Sequence, residues 1–94
     1  MDKQRLTVDE FNSKYNSYLE DRHYGLAIDI PSVINYLDNE FQKFILLPGF
    51  HYSQIKLKFN SCRFYAGVSE GNIDTYAVEI EVNRLVKEHD ESNL

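Results

Sequence analysis

The sequence predicts an α+β fold with two N-terminal helices, a β-hairpin around Asn60-Ser61 and a C-terminal helix. Apolar residues recur at helical spacing in two early segments, alternate with polar residues over 54–67, and return to helical spacing after residue 73. A chain of 94 residues forms one domain with one modest core. We therefore expect a single domain over 1–94, with flexible ends at 1–5 and 89–94.

The first helix is predicted over residues 8–22. Thr7 can cap its N-terminus, and Glu10, three residues later, completes a capping box. Gly25 is a plausible stop signal beyond its C-terminus. One stripe at helical spacing is the face expected to pack on the core, and it consists of Val8, Phe11, Tyr15, Tyr18, Leu19 and Arg22.

A second helix is predicted over residues 31–46. Pro31 is compatible with a first helical turn, and Asp29 or Ser32 can cap it. Pro48-Gly49 ends the segment. The apolar positions at helical spacing are Ile30, Ile34, Leu37, Phe41, Phe44 and Ile45.

Residues 54–67 read QIKLKFNSCRFYAG, and their alternation of apolar and polar side chains changes phase at Asn60-Ser61. A two-residue turn at this point brings both apolar sets onto one face. It pairs Phe59 with Cys62, Leu57 with Phe64, Ile55 with Ala66 and Ser53 with Val68. Asn60 tolerates the positive φ that such a turn needs. A β-bulge at the same place is the alternative.

The polar face of this hairpin is the candidate binding site, formed by Lys56, Lys58, Arg63 and Tyr65. In the predicted register Lys58 lies opposite Arg63, and Lys56 lies opposite Tyr65. Two like charges directly opposite each other are unfavourable, so another interaction should offset them. Residues 52–68 contain these three cations and no Asp or Glu, whereas residues 69–91 hold seven acidic residues against two basic ones.

Two interpretations of this face remain open. In the first, Tyr65 packs under the alkyl stems, and the charges lie in water or meet Glu79 and Glu81. In the second, the face binds an anionic partner, which is an acidic protein surface, a phosphate-bearing ligand or a nucleic-acid backbone.

The last segment is predicted as a helix over 74–88 with Asp74 as its cap, and a strand over 75–82 is the alternative. As a helix it is apolar on two sides. One side carries Val78, Val82, Leu85 and Val86, and the other carries Ile73, Tyr76, Ala77 and Ile80. Such a helix is either central in the fold or contributes an interface, for which Ile73, Tyr76 and Ile80 are the candidates.

Residues 54–65 also resemble a segment found in many small uncharacterised proteins of phages, prophages and bacterial genomes, which reads roughly Q-[IV]-K-E-K-[FY]-G-x-L-R-F-Y. Leu57, Asn60 and Cys62 depart from this pattern. The positions that match are Gln54, Ile55, Lys56, Lys58, Phe59, Arg63, Phe64 and Tyr65.

Proteins of that family carry an amphipathic helix on each side of the segment, so the resemblance covers residues 30–88. It favours a helix over 74–88, and it supports the turn, because the family has Gly where this chain has Asn60. The family has no established activity to carry over. Many members end in a cysteine pair that indicates metal binding, and since this chain has no such pair, the resemblance implies no metal role here.

The residue types that carry catalysis form no recognisable motif in the sequence. The three histidines, His23, His51 and His89, have no partners at metal-ligand spacing. Cys62 falls on the apolar face of the hairpin, which indicates a buried structural thiol. The four glycines form no phosphate loop. We expect no enzymatic activity, no cofactor and no metal.

Composition limits the function further. The net charge of −5 argues against general nucleic-acid binding. No apolar run is long enough to cross a membrane, no secretion signal is visible, and the single cysteine fits a reducing cytoplasm. We expect a protein-binding module, such as a phage-encoded antagonist of a bacterial defence or host factor, with a homodimer as a further option. Nucleic-acid or nucleotide binding through the hairpin is the alternative.

Overall fold

A computed structural model describes residues 6–20, 25–59 and 61–92 of the chain. The elements within them are α1 (Val8–Lys14), a 3-10 turn (Asn16–Tyr18), β1 (Gly25–Leu26), α2 (Pro31–Phe44), β2 (His51–Lys58), β3 (Ser61–Gly67) and α3 (Thr75–Ser92). Strand β1 pairs parallel with β2, and β2 pairs antiparallel with β3, in the order β1-β2-β3. This arrangement confirms the α+β fold with a hairpin and a C-terminal helix.

The helices and strands enclose one core in which aromatic rings dominate. Phe41 lies at its centre, with its ring centroid 5.0 Å from that of Phe11 and 4.9 Å from that of Tyr52. Edge-to-face packing of this kind adds to the burial of apolar area. The buried residues are Phe11, Tyr15, Leu26, Ile28, Val33, Ile34, Leu37, Phe41, Phe50, Tyr52, Ile55, Cys62, Phe64, Val78 and Val82.

The prediction that the first helix extends over 8–22 is wrong at its C-terminus. The capping box forms as predicted, but α1 ends at Lys14 and a 3-10 turn follows. Asn16 and Ser17 come next, and their side chains compete with helical hydrogen bonds. Leu19 then forms a parallel bridge with Tyr52, so sheet pairing replaces the last predicted turns. Arg22 lies outside the described residues.

The short strand β1 has no counterpart in the prediction, which treated Gly25 as a helix stop. Asn12 of α1 holds this strand, because its amide nitrogen donates to the Leu26 carbonyl at 3.1 Å and its Oδ1 accepts from the Leu26 N–H at 2.8 Å. Gly25 has a φ of 130°, and a Cβ there would lie 2.7 Å from Asn12 Oδ1. Glycine therefore permits this close approach of β1 to α1.

The other two helices form where they were predicted, with different ends. The second helix stops at Phe44 rather than residue 46, and neither Asp29 nor Ser32 caps it, since Ile30 occupies the cap position without a side-chain bond. The Asp74 carboxylate accepts from the N–H of Ala77 at 3.0 Å, as expected of a cap. Helix α3 excludes the alternative strand over 75–82 and continues to Ser92, beyond the predicted end at 88.

A side-chain network joins α1 to α2 at Asp38. The hydroxyl of Tyr15 donates to Asp38 Oδ1 at 2.5 Å, Lys14 approaches the same oxygen at 2.8 Å, and Gln42 donates to Oδ2 at 3.2 Å. Burial alone would raise the pKa of Asp38, but the bonds from Lys14, Tyr15 and Gln42 outweigh it and hold that pKa below its ordinary value. The network therefore favours the ionised carboxylate.

The hairpin forms, but its turn and register differ from the prediction. Lys58 pairs with Ser61, so the connection consists of Phe59 and Asn60, and Asn60 lies outside the described residues. Leu57 consequently pairs with Cys62 rather than with Phe64. The register moves by two residues, which preserves the inward and outward faces because side chains alternate with a period of two.

A β-bulge is present at the start of β2 rather than at the turn. The register with β3 shifts between Tyr52 and Gln54, which leaves Ser53 as the extra residue. The shift turns Tyr52 into the core, where its side chain is fully buried, on the same face as Ile55. Ser53, which the predicted register paired inward with Val68, does not join the core cluster.

Candidate binding face

The residues predicted to form the binding site lie together on the outward face of the hairpin. Lys56 and Arg63 are partly exposed, Lys58 is exposed, and Tyr65 is 49% exposed. The inward positions of the same strands, Ile55 and Phe64, are buried. The strand alternation thus separates a cationic outer face from the core, as the sequence predicted. We call Lys56, Lys58, Arg63 and Tyr65 the hairpin face.

The cations on this face pair differently from the prediction. Lys56 lies directly opposite Arg63, Lys58 lies opposite Ser61, and Tyr65 lies opposite Gln54. The predicted pairs were wrong because the turn lies one residue earlier in the chain. The like-charge pair nevertheless remains, now in the middle of the hairpin, and such a pair is destabilising.

The acidic residues proposed to neutralise these cations are engaged elsewhere. Glu79 accepts from the backbone N–H of Phe64 at 2.8 Å, and Glu81 forms an ion pair with Arg84 at 2.6 Å. Among the described residues, every ion pair lies on or between the helices, and none includes a cation of the hairpin face. The interpretation in which Glu79 and Glu81 neutralise the hairpin cations is therefore wrong. Two interpretations remain: the cations are solvated by water, or they bind an anionic partner.

Helix α3 lies along the outer edge of β3 and supplies acceptors for two of its N–H groups. Asn83 accepts from the N–H of Cys62 at 2.7 Å, and Glu79 accepts from that of Phe64. Exposed strand edges pair with other chains, so side chains that occupy the edge N–H groups protect it. The two bonds also fix how the helix is rotated about its own axis.

That rotation places the second candidate set beside the first. Successive residues of an α-helix are about 100° apart, so Glu79 and Asn83 face β3 while Val78 and Val82, about 100° back, face the core. Tyr76 and Ile80 lie about 60° further round in the same sense. The side chains of Tyr76 and Ile80 therefore point beyond the edge of β3, toward the outer face of the sheet.

Tyr76 and Ile80 are 70% and 50% exposed, whereas Ile73 is partly buried and packs against the core cluster. Of the candidate interface residues, Tyr76 and Ile80 thus extend the hairpin face, and Ile73 supports the start of the helix from inside. The sequence alone treated the two sets as separate. Joining them required the contacts between α3 and β3.

Sequence reasoning placed Phe59 inside, opposite Cys62, but the structure places it at the tip of the hairpin with 87% of its surface exposed. The ammonium of Lys58 lies 5.8 Å from its ring centroid. The difference lies in the position of the turn, because a two-residue connection that begins one residue earlier removes Phe59 from the inward series. Phe59 is therefore a further exposed residue beside the hairpin face.

Cys62 is buried, as predicted. Burial raises the pKa of its thiol to about 12, and the Glu79 carboxylate acts in the same direction. A thiol with so high a pKa stays protonated near neutral pH, which makes it a poor nucleophile.

Within the described ranges, no group of three or more His, Cys, Asp or Glu side chains is arranged to hold a metal ion. In the same part of the chain, no helix combines the length and apolar character that crossing a bilayer requires. His51, one of the scattered histidines, contacts the backbone carbonyl of Gly49 through Nδ1 at 3.0 Å.

Comparison with known proteins gives no relative for this chain. No family model matches it, and neither a search of curated proteins nor a search of solved structures finds a match. The resemblance of residues 54–65 to the phage and prophage segment therefore stays a prediction.

Proposed function

We propose that the chain is a small binding module that acts by stoichiometric contact with another protein through the hairpin face. The observation that carries the proposal is the Lys56–Arg63 pair, two like charges placed opposite each other with no ion-pair partner among the described residues. An arrangement that is unfavourable in the free protein is explained if a partner supplies the opposite charge.

The chemistry of the face indicates an acidic partner surface. Tyr65 adds exposed aromatic area to the face, and Tyr76 and Ile80 are exposed on the helix that borders β3. Aromatic residues and arginine are enriched at the centres of protein interfaces, where they contribute most of the binding energy. The remainder of the chain is acidic, so the face is a local exception within a chain of net charge −5.

The biological setting follows from the resemblance to phage and prophage proteins. A small antagonist of a bacterial defence or host factor would need only a surface that occludes its target. The hairpin face, carried by a sheet and an adjoining helix, is a surface of that kind.

The test uses the immobilised chain to capture proteins from bacterial lysates, quantified by mass spectrometry. Lys56→Glu and Arg63→Glu each reverse a charge on the face. Lys43→Glu makes the same change on α2, where Lys43 is exposed and forms only a surface ion pair with Glu40. We expect one host protein to be captured by the wild type and by Lys43→Glu, and to be reduced at least about tenfold by the other two.

Equal capture by all four proteins would contradict the assignment of the face. Failure to capture any protein at a stoichiometric level, across lysates of several bacterial species, would contradict the proposed function itself.

Single-stranded nucleic acid is a second candidate, favoured by Tyr65. Its half-exposed ring lies two residues beyond Arg63, at the next outward position of β3, where a base could stack while the cations contact phosphates. Three cations limit the salt dependence to a slope of about −2 in log K against log salt. Binding to an oligothymidylate with that slope, lost in Arg63→Glu, would support this candidate over the protein partner.

A further inference from the structure

The tip of the hairpin breaks the rule that governs which residues occupy tight turns. Phe59 has a φ of 53° and is the first of two residues that connect Lys58 to Ser61. Both favoured two-residue hairpin turns need a positive φ at this position and are dominated by Gly, Asn and Asp. A bulky aromatic residue there is an outlier with a conformational cost.

Among the described residues, no packing of the Phe59 ring into the core offsets this conformational cost. Its side chain is 87% exposed, and the cation contact with Lys58 at 5.8 Å is its one ring interaction among the described residues. Leu57, two residues earlier on the inward face, is also partly exposed and continues the apolar surface toward the tip. Backbone strain together with an exposed aromatic ring is typical of a site whose stabilising contacts lie on another molecule.

We infer that Phe59 is the anchor of the proposed contact and enters an apolar pocket on the partner protein that is bordered by carboxylates. The inference rests on the proposed function, and it specifies which residue makes the central contact and what the partner offers. Lys58 adjoins the tip, and the Lys56–Arg63 pair lies two ladder positions behind the Lys58–Ser61 pair. Residues 52–68 contain no Asp or Glu, so the charge complement of this region is acidic.

A protein pocket fits the tip better than the other anionic surfaces. A lipid surface requires a larger apolar area or a second anchor, whereas the tip presents one ring that is 87% exposed. Single-stranded nucleic acid would stack a base on Tyr65, within the hairpin face, and gives no reason for an aromatic residue at a strained turn position. A single aromatic side chain in a pocket, with charges at the rim, is the usual form of a protein interface anchor.

The inference predicts effects of opposite sign on stability and on binding. Phe59→Asn places a residue that tolerates positive φ at the turn and removes the exposed ring. We expect the Tm of the free protein to rise by about 4–8 °C. Binding to the partner should weaken at least about tenfold. A fall in the Tm would show that Phe59 supports the fold, and would overturn the inference.

Binding is tested with peptides selected on the wild-type chain from a random-peptide display library. The chain contains no tryptophan, so Phe59→Trp supplies a unique fluorescence reporter at the tip. We expect the selected peptides to be acidic, to contain an apolar residue, and to shift the Phe59→Trp emission to shorter wavelength. They should bind Phe59→Asn at least about tenfold more weakly than the wild type.

The controls separate the inference from the proposed function. Peptides that bind Phe59→Asn as well as the wild type but fail to bind Arg63→Glu would overturn the anchor and leave the hairpin face intact. Peptides insensitive to both changes would overturn both proposals. An emission shift of Phe59→Trp caused by oligothymidylate or by phosphatidylglycerol vesicles, with none caused by the peptides, would also overturn the anchor.

Discussion

The contact between α3 and β3 can be broken with one substitution. Asn83→Ala removes the acceptor that receives the Cys62 N–H at 2.7 Å, at the strand edge that the helix covers. A partly buried donor left without an acceptor costs about 1–3 kcal/mol. The substitution therefore lowers the free energy needed to separate α3 from β3, because the bond joins those two elements.

Cys62 reports this separation directly. It is the only cysteine, its side chain is almost fully buried, and the pKa of its thiol is raised to about 12. Reaction with a thiol reagent such as dithionitrobenzoate at neutral pH therefore requires local opening of the protein. Since about 1.4 kcal/mol corresponds to a factor of ten, the expected loss accelerates labelling by about 5–150-fold.

The matched control is Lys87→Ala, which removes an exposed side chain one turn further along the same helix. Labelling of Lys87→Ala should stay near the wild-type rate. Asn83→Asp keeps an acceptor oxygen, so its labelling rate should lie between those of the wild type and Asn83→Ala. If Cys62 in Asn83→Ala is labelled at the wild-type rate, the claim that this bond holds the helix on the strand is refuted. Equal acceleration in Lys87→Ala would show that general helix stability, and not the edge contact, controls the opening.

Three further predictions concern the fold. Phe41→Ala should lower the free energy of unfolding by about 3–5 kcal/mol in urea titrations, because the fully buried ring packs against several other rings; a loss below about 1 kcal/mol would contradict its central place. Because the pKa of folded Asp38 is depressed, its contribution is present above the unfolded value of about 3.9 and is lost as the pH falls through the folded value. Urea titrations from about pH 6 down to pH 2 should show this decline, and a slope unchanged in Asp38→Asn would refute it. Gly49→Ala should lower the Tm more than Gly71→Ala, since both have positive φ but a Cβ at Gly49 would lie 1.8 Å from Ser69 Oγ and one at Gly71 meets nothing within 4 Å; equal losses would contradict the close approach.

The features that local sequence determines were predictable. Thr7 and Glu10 form the reciprocal capping bonds at 3.1 and 2.9 Å, and Asp74 caps α3, because each cap depends on residues within one turn. The outward face of the hairpin was also predictable, since alternation assigns faces even when the register moves by two residues.

Features that depend on distant contacts were not predictable. The stripe after Lys14 fits a helix, but Leu19 pairs with Tyr52 in the sheet instead. The two residues of β1 are too few to produce an alternating pattern. The turn preference of Asn favoured Asn60 at the first turn position, which Phe59 occupies. The position of Tyr76 relative to the hairpin face depends on how α3 lies along β3.

We propose that this chain engages a partner protein through the hairpin face and the adjoining residues of α3. Site-specific photo-crosslinking tests it most directly, with a photoreactive phenylalanine at Tyr65 or at Ile80 and, as the control, at Leu46, which is 80% exposed beyond the end of α2. We predict that positions 65 and 80 cross-link to the same single protein in a bacterial lysate and that position 46 does not. Cross-linking from position 46 alone, or to unrelated proteins from positions 65 and 80, would contradict the account.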